Sequence, residues 1–199
     1  MDDYLFAEIA APKGAPLLLL FHGTGGDEND LVGLGRQLMP DAHIVSPRGD
    51  VSESGALRFF RRAGEGIYDM ADFARATEKM TGFIARRAAA IGPSSVTALG
   101  FSNGANIIAG VLFTAPGLLD RAVLMHPLIP FEPAPQPGLA GKPVLITAGR
   151  GDRIAPPSRT EALAEYFLAQ GAASRVAWQE AGHDIRRPEV LAVRDFLAS

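Results

Sequence analysis

The sequence predicts an α/β protein with a mostly parallel central sheet and helices on both faces. Two observations predict it. Apolar runs of strand length alternate with segments of helical period nearly throughout the chain, and such alternation demands crossover connections between parallel strands. The most apolar run, Ala15 to Phe21, is continuous rather than alternating, as in a strand buried on both faces. Chemistry in such sheets sits at the carboxyl ends of the strands.

Each element has a local reason. Tyr4–Ile9 is short and apolar, an edge strand, and Pro12, Gly14 and Pro16 mark the turn after it. Leu17–His22 is the buried strand, followed by the glycine loop Gly23–Gly26. Asp27 is expected to cap a helix running to about Met39, with Leu31, Leu34 and Leu38 at helical spacing and Gly33 and Gly35 weakening it. Ala42–Ser46 is a second buried strand, and Pro47–Gly66 has no clear period. Met70–Ile91 is a long helix with Phe73, Met80, Phe83 and Ile84 on one face, ended by Gly92-Pro93. Strands follow at Ser95–Phe101, Arg121–Met125, Pro143–Ala148 and Ser174–Gln179, where Trp178 is expected in the core. Helices are expected at Asn103–Ala115, Pro157–Gln170 and Pro188–Leu197.

Composition narrows the function. The 199 residues fit one domain, 1–199, large enough to bury a core. With 19 basic against 22 acidic residues and no long run of either, nucleic acid is not an expected partner. The chain has no cysteine, which removes disulfides, cysteine-bound metals and a thiol nucleophile. The start, Met-Asp-Asp, is acidic where a signal peptide is basic, and no apolar run reaches the ~20 residues of a membrane span. A cytoplasmic protein without membrane insertion is expected. Neither a metal nor a cofactor is called for. The loop His22–Gly26 lacks the Gly-Lys-Ser/Thr ending of a phosphate loop, and Glu28 stands where a dinucleotide loop needs its third glycine.

Gly100-Phe101-Ser102-Asn103-Gly104 places a serine between an expected strand and an expected helix, as a nucleophile elbow requires. A serine hydroxyl needs a base. Of His22, His43, His126 and His183, the last lies on a loop between the final strand and helix, free to reach Ser102. His43 reads as structural, while His22 and His126 end strands near the same edge. The acid should fall between nucleophile and histidine in the chain. Asp152 follows a strand on the correct edge, whereas Asp120 precedes one. The backbone N–H groups of Thr24 and Asn103 are the candidate oxyanion donors.

These motifs, together with Leu20-Phe21-His22-Gly23-Thr24-Gly25-Gly26-Asp27-Glu28, Ser46-Pro47-Arg48-Gly49, Arg58-Phe59-Phe60-Arg61-Arg62 and Ala148-Gly149-Arg150-Gly151-Asp152 with Gly182-His183, resemble a family over nearly the whole chain. The sequence is similar to the small α/β-hydrolase carboxylesterases, which include the acyl-protein thioesterases, and nearest to their bacterial hydroquinone-linked hydrolase-like branch. The resemblance implies Ser102, Asp152 and His183 as the triad, and Thr24 and Asn103 as the oxyanion hole. A departure is Asp184, a carboxylate beside the histidine that would favour its protonated form. His126–Lys142 is too short for the cap domain that many hydrolases of this fold carry, so an open site is expected, roofed in part by Pro47–Gly66.

His22, Phe59, Phe60 and Arg61 are the candidate pocket residues, the phenylalanines for an acyl or alcohol group and the arginine for an anionic one. The competing reading has the phenylalanines pinning the loop. The expected activity is hydrolysis of short- to medium-chain carboxylic esters, a small-molecule reaction open to a monomer or homodimer. A thioesterase or lysophospholipase would use the same triad, as would an amidase. A binding module that kept the fold without activity is the reading from another class.

Overall fold

The computed structural model describes residues 4–198; Met1, Asp2 and Asp3, read above as an acidic start, lie outside the described residues. Five strands form the parallel body of the sheet: β2 (Leu17–Phe21), β3 (His43–Pro47), β8 (Val96–Phe101), β9 (Arg121–Met125) and β10 (Pro143–Gly149). β1 (Phe6–Ile9) and β11 (Ala173–Gln179) close the edges, giving the order β1-β3-β2-β8-β9-β10-β11. All neighbours run parallel except β1 on β3, which is antiparallel with Phe6 opposite Pro47.

Alternate side chains of each strand feed opposite layers. From β2, Leu17, Leu19 and Phe21 join one apolar cluster and Leu18 and Leu20 the other. The first layer is covered by α2 (Met70–Ile91), α3 (Asn103–Thr114) and α4 (Pro157–Ala169), the second by α1 (Val32–Leu38) and α5 (Arg187–Leu197). α2 starts where Asp69 accepts the Asp72 N–H and stops at Gly92, whose φ of 63° only glycine adopts cheaply. Among the described residues no helix is long and apolar enough to cross a membrane.

Three expectations change. Asp27 does not cap a helix: its carboxylate accepts the Asn29 N–H at 2.7 Å, successive turns follow, and α1 begins only at Val32. The glycines that weaken this segment serve packing, since a Cβ on Gly35 would lie 2.7 Å from a Leu20 methyl. Residues 47–66 hold more order than their lack of period suggests. They pair β4 (Val51–Glu53) with β5 (Ala56–Arg58) and form β6 (Arg62–Gly64), which pairs with β7 (Ile67–Tyr68). Trp178 is not core. It is half-buried on the edge strand β11 beneath the Arg150 guanidinium, 5.1 Å from its ring centroid.

Candidate active site

Ser102 sits where β8 breaks into α3, with φ 52° and ψ −115°. A non-glycine residue in that region is strained, and the surroundings hold it there. Its N–H donates to Met125 O at 2.8 Å and its carbonyl accepts the Asn106 N–H at 3.0 Å. The turn is tight because both flanking glycines touch backbone: a Cβ would stand 2.6 Å from Gly104 C at Gly100, and 2.0 Å from Phe21 O at Gly104. The elbow therefore needs glycine at both places.

His183, on the loop after β11, reaches Ser102: Nε2 lies 2.8 Å from the serine Oγ. Its Nδ1 donates to Asp152 Oδ2 at 2.7 Å. Asp152, past the end of β10, is held in turn by the Ile154 and Ala155 N–H groups, each donating to Oδ1 at 2.8 Å. Burial works against the Asp152 anion. The Ala155 amide and the two imidazoles on it outweigh that and hold its pKa below the ordinary 3.8. Asp184 is tied up with the Arg186 guanidinium.

A second histidine shares the same carboxylate oxygen. His126, just beyond β9, is fully buried, with φ 51°, and its Nδ1 lies 2.8 Å from Asp152 Oδ2. Sequence reasoning put His126 near this edge but gave it no role, and it did not single out Glu189 behind it. The donor atoms of His126, Asp152 and His183 lie within 4.8 Å of one another. Both Nδ1 atoms already face one oxygen as N–H donors, so a cation would have to displace both protons.

Thr24 and Asn103 border the same cleft as Ser102 and His183. As the first residue of α3, Asn103 has no helical carbonyl for its N–H. In the glycine loop the Gly26 N–H closes the turn on Gly23 O and the Gly25 N–H donates to Leu57 O of β5, which leaves the Thr24 N–H outside both bonds. The Thr24 hydroxyl accepts from Arg58 Nη1 at 2.7 Å, which ties the loop to β5.

The cleft measures about 600 Å³, and the four expected pocket residues do not line it. Phe59 and Phe60 are fully buried, stacked on Phe21, Tyr68 and Phe73, so they pin the hairpin to the core. His22 is also buried. It donates from Nδ1 to Gly23 O and accepts the Gly49 N–H at Nε2, and burial lowers its pKa, so it is a neutral bracket between two loops. Arg61 turns away to Asp72 at 3.1 Å. The walls come instead from Arg58, Arg62 and Tyr68 on one side, Leu128 and Pro130 on another, and Arg153, Ile154 and Arg159 on the third. Arg58 and Arg62 belong to the singled-out motif; which of its residues face the cleft depends on the hairpins, which no periodicity revealed.

Comparison with known proteins agrees with this fold. Residues 63–189 match the sequence profile of the dienelactone hydrolase family. A Bacillus subtilis protein named "Putative hydrolase MhqD" is 41% identical over 182 residues, covering 90% of this chain and 91% of that one. The crystal structure of Atu2452, of unknown function, from Agrobacterium tumefaciens superposes with a TM-score of 0.92 at 53% identity, over 98% of this chain and 96% of that one. The Bacillus cereus carboxylesterase does so with a TM-score of 0.91 at 35% identity, over 98% and 93%.

Proposed function

Because the chain belongs to the dienelactone hydrolase family, we propose that it is a serine carboxylesterase acting on short- to medium-chain esters, with Ser102 as nucleophile. One observation carries the reading: the unbroken hydrogen-bond chain Ser102–His183–Asp152, with steps of 2.8 and 2.7 Å, beside an open cleft. Carboxylesterase relatives with the α/β-hydrolase fold support it.

The Ser102 oxygen attacks the ester carbonyl carbon as its proton passes to His183 Nε2. The carbonyl oxygen takes the negative charge against the N–H groups of Thr24 and Asn103. Collapse breaks the bond to the alkoxy oxygen, which leaves with the proton from His183. Water then attacks the acyl-enzyme by the same path and releases the acid. Asp152 holds the Nδ1–H tautomer throughout, so Nε2 stays free to accept. The whole chain, 1–199, serves as one domain, working in the cytoplasm on small-molecule esters.

Intact-mass spectrometry after fluorophosphonate treatment tests the nucleophile and its base. One adduct on the wild type, absent from Ser102→Ala and His183→Ala, is expected. A folded wild type that takes no adduct would overturn the reading.

A further inference from the structure

Behind the proposed triad lie two further buried groups, His126 and Glu189, that the proposed reaction does not use. Asp152 Oδ2 accepts two imidazoles, His183 at 2.7 Å and His126 at 2.8 Å, while Oδ1 accepts two backbone N–H groups. Every acceptor position of that carboxylate is filled. His126 Nε2 points the other way, 3.3 Å from Glu189 Oε1, an ion-pair contact and not an aligned hydrogen bond. Glu189 is itself fully buried. It takes the Thr147 hydroxyl on Oε1 and the Arg186 N–H on Oε2, and it leaves no route to solvent.

With both carboxylates ionised, charge counting favours a protonated His126. Two carboxylates, fully or almost fully buried, flank one imidazole, and each ring nitrogen faces one of them. A neutral His126 would leave two adjacent buried anions with one cationic partner at most, His183, at the wrong end. A protonated ring answers both. The other titratable group against it is His183, whose ring centroid is 5.3 Å away; Phe101 covers a further side at 5.7 Å. Burial opposes the His126 cation, but the charges of Glu189 and Asp152 on either side of the ring outweigh it and raise its pKa above the ordinary 6.5. His126 is fully buried at a positive φ of 51° and does not line the cleft.

We propose that His126 is a positioning residue of this site: an imidazolium anchored by Glu189 that clamps Asp152 against His183 and whose positive charge opposes a second cation on the His183 ring. The proposal rests on the serine-esterase reading. The sign follows from Coulomb's law. A cation 5.3 Å from His183 disfavours a second cation there, so removing its charge is expected to move the acid limb of activity upward. The net charge of His126, Glu189 and Asp152 together is still −1, which suits the imidazolium that forms in the transition state.

The test is the pH profile of kcat/KM on a neutral p-nitrophenyl ester. His126→Asn keeps an N–H donor to Asp152 without the charge, and its acid limb is expected about one pH unit higher than wild type. That variant strands Glu189 and can fail to fold. His126→Asn with Glu189→Gln restores neutrality, lets the two amides pair, and is expected to show a smaller shift of the same sign. Nitrogen-15 NMR of the wild type supplies a reading independent of activity: one imidazole that keeps both nitrogens protonated above the pH at which an ordinary histidine titrates, absent from the double variant. A double variant with the wild-type limb and only a lower melting temperature overturns the proposal, as does a bare Nε2 on His126. A wild type that neither takes fluorophosphonate nor cleaves the ester sinks the esterase reading instead, and the NMR spectrum still decides the charge on His126.

Discussion

The rings of His126 and His183 meet edge to face, centroids 5.3 Å apart at 76°, with one oxygen of Asp152 between their Nδ1 atoms. A carboxylate that serves two imidazoles responds to substitution more sharply than one serving a single histidine.

Asp152→Asn is expected to cost about 10⁴ in kcat with the fold kept. An amide NH2 turned toward two N–H donors repels both, and His183 answers by moving its proton to Nε2, where it blocks acceptance from Ser102. Ester turnover alongside a far-ultraviolet circular dichroism spectrum checks this.

Stability should peak between two limits. His126 has a raised folded pKa, so its contribution is full below the ordinary 6.5 and is lost as pH rises through the raised value. Asp152 has a depressed one, so its contribution is present above 3.8 and lost as pH falls through the folded value. Urea midpoints measured across pH should fall toward both ends. The alkaline fall should flatten in the double variant at 126 and 189.

Gly104→Ala is expected to destabilise by about 3 kcal/mol or to abolish soluble expression, because the new methyl would sit 2.0 Å from a strand carbonyl that cannot retreat. Gly33→Ala, where a Cβ meets nothing within 4 Å, is the control and should be neutral or stabilising. Equilibrium unfolding separates them.

Phe59→Leu and Ile154→Trp should behave oppositely. The first opens a core cavity and should lower stability by about 1–3 kcal/mol while leaving the acyl chain-length profile unchanged. The second adds bulk at a cleft-lining residue that is 54% exposed. It should leave the melting temperature near wild type and cut the rates of the longer esters first. A p-nitrophenyl ester series with thermal unfolding reads both.

Strand and helix order was legible because it depends on neighbours a few residues apart. The runs at 17–21 and 121–125 and the period of α2 carry their own signal. Ser102 was legible for the same reason: a strand, a glycine-flanked serine and a helix are contiguous. Asp152 and His183 were reachable by chain order and by which strand end each follows. The early helix was misplaced because Asp27 stabilises an isolated turn as readily as a helix start. The segment 47–66 was opaque because its strands are two or three residues long, below the reach of any period.

The sequence by itself determined the layered α/β architecture, the elbow, and the short list from which the proposed nucleophile, base and acid come. Tertiary structure alone decided that Phe59 and Phe60 point inward and Arg58 and Arg62 toward the cleft. It alone brought Glu189 behind His126 and His126 against Asp152. The physical reason is common to all of these. The direction of a side chain on a hairpin, and the partner of a buried charge, are set by contacts between segments far apart in the chain. His126 and Asp152 are 26 residues apart, Thr147 and Glu189 42, and no local pattern encodes a meeting that only the closed sheet and its helices bring about.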